Sequence, residues 1–182
     1  AQLLSLKNLP PPDSTSRGER SRVIYPDQTL PLRFSHRNHL SRDIACDSCH
    51  QAALSSTSAR DRLLPSEEDC AVCHPIDRAD PYKKTAVGAQ AACATCHVGV
   101  PSEPGPETPS PGKDFESLVT RIVIPDPNLK FNHKQHLDKQ IPCATCHGDL
   151  SKVDLATRAQ LPTMAQCLAC HDSRMPMSSK AS

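Results

Sequence analysis

Every cysteine of this 182-residue chain belongs to one repeated pattern, two cysteines separated by two residues with a histidine next. The five copies are Cys46-Asp-Ser-Cys49-His50, Cys70-Ala-Val-Cys73-His74, Cys93-Ala-Thr-Cys96-His97, Cys143-Ala-Thr-Cys146-His147 and Cys167-Leu-Ala-Cys170-His171. The rest of the chain is poor in the means to fold. It is 37% hydrophobic and 3% aromatic, with no Trp, where a soluble domain runs near about 45–50% apolar. Its 18 prolines imply much irregular, non-helical backbone. Something besides apolar side chains must hold it together: disulfides, a metal or a covalent cofactor.

The pattern selects among these. C-x-x-C-H is the attachment signature of c-type haem. Two thiols three residues apart each bond one vinyl group, and the following His lies under the iron as proximal ligand. One match arises by chance; five that use every Cys do not. Structural zinc takes two Cys pairs per site, so five pairs cannot all be consumed, and zinc gives no reason for the His. A disulfide scaffold leaves the His equally unexplained, and pairs this close belong to redox or ligand motifs. The expected cofactors are therefore five haem c groups, bonded by Cys46, Cys49, Cys70, Cys73, Cys93, Cys96, Cys143, Cys146, Cys167 and Cys170. His50, His74, His97, His147 and His171 are the proximal ligands.

The other four His are not scattered. They form Phe34-Ser-His36-Arg-Asn-His39-Leu40 and Phe131-Asn-His133-Lys-Gln-His136-Leu137, the second segment 97 residues after the first. The same offset carries Ile44 to Ile141, Cys46 to Cys143, His50 to His147, Leu64-Pro65 to Leu161-Pro162 and Cys70 to Cys167. The chain thus holds two copies of one unit, in register over about forty residues. A lone His is more often a surface or satisfied core residue. Four in a duplicated segment just ahead of haem motifs are expected to be distal ligands.

At these residues the chain resembles the class III multihaem cytochromes, the low-potential trihaem and tetrahaem periplasmic carriers. The resemblance covers roughly residues 32–97 and 129–171. It implies that His36 binds the haem of His50 and His133 that of His147. His39 and His136 would then serve other haems: those of His74 or His97, and of His171. The chain departs from that family in fusing two units and in its five motifs. The pentahaem count and the F-x-H-x-x-H segments also resemble the pentahaem subunit of alternative complex III, which normally carries a membrane anchor.

Five irons need five distal ligands, and only four His lie outside the motifs. One iron must use Met, another group, a partner's residue or nothing. Met164, Met175 and Met177 are the candidates in this chain. Met164 aligns with Glu67 of the first copy, so it is not part of the shared scaffold. Met ligation would raise that haem's potential above its bis-His neighbours. An open iron would suggest a multihaem reductase. The pentahaem nitrite reductases replace one proximal His with Lys, whereas every motif here ends in His. The short chain also leaves little protein for a substrate pocket.

The expected fold is mostly irregular, with few short α-helices and little or no β-sheet, built around the covalent haems. Residues 1–30, with Pro10-Pro11-Pro12, read as an extended arm that is either disordered or lies along a partner, the second being favoured. Residues 31–100 form a trihaem unit. Residues 101–128 form a linker with Pro at 101, 104, 106, 109 and 111, favouring polyproline geometry, with a short helix or strand over Asp114–Ile124. Residues 129–177 form a dihaem unit and 178–182 a tail. Thr57–Leu64, Asp154–Leu161 and Thr163–His171 are expected as short helices, the first two stopped by Pro. Ser66–Asp69 reads as a capping box leading into Cys70.

Lys and Arg number 21 against 20 Asp and Glu, so no basic excess points to nucleic acid. The longest apolar stretch, Leu118–Ile124, is interrupted by Thr120 and Arg121 and is far short of the about 20 residues a spanning helix needs. A start at Ala1 without Met fits a processed, exported form. Thioether formation outside the reducing cytosol places the protein in the periplasm or at the extracytoplasmic face of a membrane. The expected function is single-electron transfer along closely packed haems, not enzyme catalysis. The Pro-rich arm and linker favour a subunit of a larger redox assembly. Its partners would be redox proteins of a membrane-associated complex or other cytochromes. A free periplasmic shuttle and a haem filament are the alternatives.

Overall fold

The computed structural model describes residues 20–83, 92–106 and 119–171. Six helices of a single turn appear among them: α1 (His36–Leu40), α2 (Glu67–Ala71), α3 (Cys93–Cys96), α4 (His133–Leu137), α5 (Cys143–His147) and α6 (Met164–Leu168). Short 3₁₀ turns occur at Cys46–Ser48, Gln51–Leu54, Leu150–Lys152 and Arg158–Gln160. The only extended pairings among the described residues are two isolated antiparallel bridges, Thr29 with Val123 and Leu32 with His97. The mostly irregular chain with few short helices is therefore as expected. No helix among the described residues is long and apolar enough to cross a membrane.

Helices this short do not stand alone, because nucleation costs more than one turn returns. Side-chain caps hold four of them, α1, α2, α4 and α6. Ser35 and Asn132 occupy equivalent N-caps and accept from the backbone N–H of Asn38 and Gln135. The Ser66–Asp69 capping box forms as the sequence suggests, and Thr163 closes a second one with Gln166. Removing one such cap costs about 1 kcal/mol. Thr163→Ala should therefore lower the holoprotein's unfolding midpoint without changing its haem content, as thermal melts followed by absorbance will show.

Two expected helices do not form. Over 57–64 the Asp61 carboxylate accepts the backbone N–H groups of Thr57 and Ser58, both at 3.0 Å, so the chain turns instead of coiling. Over 154–161 only the 3₁₀ turn Arg158–Gln160 forms, capped by Thr157. The expected Thr163–His171 helix is confined to α6. The first part of the Asp114–Ile124 element lies outside the described residues, and 119–124 is irregular apart from the Val123 bridge.

The described part of the arm, residues 20–29, makes contacts within the chain. Residues 20–29 lie along the chain's own second unit. Arg20 Nε donates to the Leu161 carbonyl at 2.9 Å, Arg158 pairs with Asp27 at 2.7 Å, and Asn128 donates to the carbonyls of Val23 and Ile24. Residues 1–19 and the tail 178–182 lie outside the described residues.

The duplication is visible in the contacts. The Arg37 N–H donates to the Val153 carbonyl and the Lys134 N–H to the Ser56 carbonyl, both at 2.9 Å. Shifted by 97 residues, each bond becomes the other. Helix α1 thus packs on the 150–152 turn while α4 packs on the 51–54 turn. Such reciprocal contact is the mark of a two-fold relation, here internal to one chain. Cys46 touches its own equivalent, Cys143, at the junction. Even the backbone outliers repeat, since Asp43 (φ 57°) and Gln140 (φ 59°) are equivalent left-handed residues following α1 and α4. Gln140→Gly should stabilise the protein by about 1 kcal/mol, since glycine carries no penalty there; a denaturant titration measures it.

The described residues form almost no side-chain core. Among the described residues only Ser56, Pro81, Ala92 and Val100 are buried. Three of these surround the third motif, where the Cys93 N–H donates to the Pro81 carbonyl at 3.0 Å. The interior is instead one continuous cavity of about 3720 Å³, and all ten cysteines and all nine histidines line it.

Candidate haem-binding site

Each motif is wound so that its three key residues converge. The N–H of the motif His donates back to the carbonyl of the first Cys at 2.9 Å for His50 and His74 and at 2.8 Å for His97 and His171; in the remaining motif the same five residues form α5. One α-turn therefore sets the two sulfurs and the imidazole against the same cavity. No disulfide joins any of the ten cysteines. Burial pushes the thiols of Cys49, Cys70, Cys93, Cys96, Cys143 and Cys146 above the ordinary value. Among the described residues no three His, Cys, Asp or Glu gather into a cage for a metal ion.

Three of the four histidines of the F-x-H-x-x-H segments face motif histidines. The rings of His36 and His50 lie 6.4 Å apart between centroids and 6° from parallel. His39 faces His74 at 6.0 Å and 46°, and His136 faces His171 at 6.0 Å and 54°. His133 neighbours His147, and burial first, then that neighbour, holds its pKa below the ordinary value. These separations are too wide for ring stacking. Two imidazoles on opposite sides of one metal, at the usual metal–nitrogen length of about 2.0–2.1 Å, would sit with centroids roughly 6.3 Å apart. The pairs therefore fit a six-coordinate iron between them.

Three features prepare these rings as ligands. The first is Phe in each F-x-H-x-x-H segment. Phe34 stacks on His39 at 4.5 Å and meets His36 edge-on at 4.8 Å. Phe131 does the same to His136 at 4.4 Å and His133 at 4.7 Å. One aromatic ring thereby orients two imidazoles. The second is the partner of Nδ1. The Nδ1 atoms of His39 and His136 lie 2.7 Å from the carbonyls of Ser35 and Asn132, four residues back. Those of His50 and His147 lie 2.9 and 3.1 Å from the carbonyls of Leu63 and Gln160, thirteen residues on. A carbonyl only accepts, so Nδ1 carries the proton and Nε2 keeps its lone pair for a metal. The third is charge. Burial holds the pKa of His36, His97, His133 and His147 below the ordinary value, the direction that favours the neutral ring.

His97 differs. Among the described residues no imidazole faces it. Its pKa is lowered by burial, with Glu67 opposing. Its backbone is clamped by the Leu32 bridge and by the Arg33 guanidinium on its carbonyl at 2.9 Å. The structure thus brings His39 to His74, one of the two partners the resemblance left open, and leaves His97 without a histidine opposite. Met164 is 60% exposed at the start of α6, the helix leading to the motif whose His171 is already faced by His136. Met175 and Met177 lie outside the described residues.

The motifs follow one another in space in an order different from their order in sequence. Cys96 neighbours Cys70, Cys73 neighbours Cys49, Cys46 touches Cys143, and Cys146 neighbours Cys167 and Cys170. The attachment points therefore run third, second, first, fourth, fifth. The internal two-fold lies between the first and fourth, and the His97 motif lies at one end.

Two kinds of contributor were not found from the sequence. The carbonyls of Leu63 and Gln160 are backbone groups without a residue signature, although their equivalence under the 97-residue shift marks them once one is known. Asp154, which surrounds His36 with contacts, occurs only in the second copy.

The family model described as cytochrome c7 and related cytochrome c matches the chain over residues 32–98 and 129–182. The two matched segments correspond to the two copies of the duplicated unit. Among curated proteins none matches the chain.

Proposed function

The chain belongs to the family of cytochrome c7 and related cytochromes c, extracytoplasmic multihaem proteins that carry electrons and are not enzymes, and on that premise we propose that it holds five haems c in a row as a subunit of a larger redox assembly. Bound haem supplies the one-electron chemistry, and the protein supplies ligands, spacing and electrostatics. In this reading the ten motif cysteines anchor the haems and His50, His74, His97, His147 and His171 lie beneath them. His36, His39, His133 and His136 close the sites of His50, His74, His147 and His171. The observation that carries the reading is the facing of distal and proximal rings at 6.0–6.4 Å. Each unit resembles the class III carriers, and the whole resembles the pentahaem subunit of alternative complex III.

The His97 site supports a subunit role. Lacking a histidine opposite among the described residues, its iron would take Met175, Met177, another group or a partner's residue as sixth ligand, or stay open. Lying at one end of the row, it is where electrons would pass to that partner, a membrane-associated redox protein or another cytochrome. The docking of residues 20–29 on the chain's own second unit favours the second reading, a free periplasmic shuttle, because it uses internally part of the arm otherwise available to a partner. Haem per chain, measured as pyridine haemochrome and by intact mass, tests the count, and four or fewer would sink it. Copurification from membranes in mild detergent separates the roles: a subunit stays with its complex, and a shuttle elutes alone.

A further inference from the structure

The first and fourth attachment sites are equivalent under the internal two-fold, yet their distal histidines are held differently. Around His36 the second unit contributes one residue, Asp154. Its carboxylate accepts from Ser35 Oγ at 2.6 Å and from the Arg37 guanidinium at 2.6 Å. Its carbonyl accepts from the His36 backbone N–H at 3.1 Å and lies 2.8 Å from His36 Nδ1. The clamp thus fixes a backbone acceptor on the atom opposite the metal-binding nitrogen.

Every part of this clamp is changed in the second copy. Position 154 corresponds to Thr57, which has no carboxylate and whose own N–H is taken by Asp61. Ser35 corresponds to Asn132, whose side chain caps α4. Arg37 corresponds to Lys134, which pairs within its own helix with Asp138 at 2.6 Å. The result is that His133 Nδ1 is buried with no hydrogen-bond partner.

We propose that Asp154 is the positioning residue for His36, and that the lack of its equivalent at His133 splits two symmetry-related haem sites in potential, the His36–His50 site being the lower. The proposal rests on the reading of His36 and His133 as distal ligands. An acceptor on Nδ1–H increases the basicity of the ligand, which favours ferric over ferrous iron, and hydrogen bonding around a haem ligand is one of the levers that set its potential. The split lies across the junction between the units. It gives the middle of the row a direction that the duplicated scaffold alone lacks.

The test uses the holoprotein with Arg37→Gln and Asp154→Ala. Arg37 and Asp154 are both more than half exposed, at 55% and 57%, and exposed pairs contribute little to stability, so both variants should fold with full haem content. Spectroelectrochemical titration, resolved haem by haem by EPR, is the readout. The near-parallel rings of His36 and His50 set that site apart from the two tilted pairs. Both variants should raise the potential of this one haem towards that of the His133 site and leave the other four in place. Arg37→Gln is decisive. Loss of a positive charge alone would lower the potential, whereas loss of the clamp raises it. A fall in Arg37→Gln, an equal shift of all haems or no shift at all would overturn the positioning role. His36→Ala separates the underlying reading. If that variant leaves the number of bis-histidine haems unchanged, His36 is not a ligand and the proposal falls with it. If it removes one while the clamp variants shift nothing, only the positioning role falls.

Discussion

Made without haem, the chain should be an unfolded polypeptide. Only Ser56, Pro81, Ala92 and Val100 are buried among the described residues, and each helix is a single turn. Those turns cannot persist alone, and ordering each residue costs about 1–2 kcal/mol of conformational entropy. The cavity lined by all ten cysteines and nine histidines is where the core belongs. It is several times a single-ligand pocket of about 300–1,000 Å³, and a fifth of it falls within that range. Small-angle scattering of a variant with all ten cysteines changed to Ala should give a radius of gyration near about 45 Å, against about 16 Å for a compact chain of this length. Its far-ultraviolet circular dichroism should lack helix. A compact, cooperatively melting haem-free protein would mean that side chains stabilise the fold after all.

His136→Ala should open one iron in five. His136 is oriented by Phe131 stacking at 4.4 Å and by the Asn132 carbonyl at its Nδ1, and it faces His171 alone. With the ring gone, no other described histidine stands opposite His171. The affected haem should turn high-spin and bind carbon monoxide when reduced, raising the reactive fraction by about one fifth over the parent. The effect is local because each distal histidine serves one site. Changing His39 to Ala should open the His74 site by the same fraction. A loss of two low-spin haems in either variant, or of none, would refute the assignment.

What was legible in the sequence was chemistry written into adjacent residues. C-x-x-C-H is local, and its five copies specify sulfurs and proximal imidazoles without reference to the rest of the chain. The 97-residue offset exposed the duplication, and the shortage of apolar residues foretold an interior not made of side chains. What was not legible depends on contacts between the copies. Nothing around His36 indicates that residue 154 holds it, nor does the spacing choose between His74 and His97 as the partner of His39. The failed helices have the same lesson at shorter range. Thr57–Leu64 has helical composition, but the Asp61 side chain captures the backbone amides that would start the coil. Nor does the sequence indicate where residues 20–29 make their contacts within the chain, because Leu161 and Arg158 lie more than 130 residues away.

The central claim is that eight histidines make four facing pairs, one iron to each, and that His97 serves a fifth iron not faced by histidine. Near-infrared magnetic circular dichroism of the oxidised holoprotein separates bis-histidine haems from all others and can be integrated against total haem. The pairing predicts four bis-histidine haems in five, with the remaining one methionine-ligated or carbon monoxide-reactive on reduction. Five bis-histidine haems, or three or fewer, would contradict it.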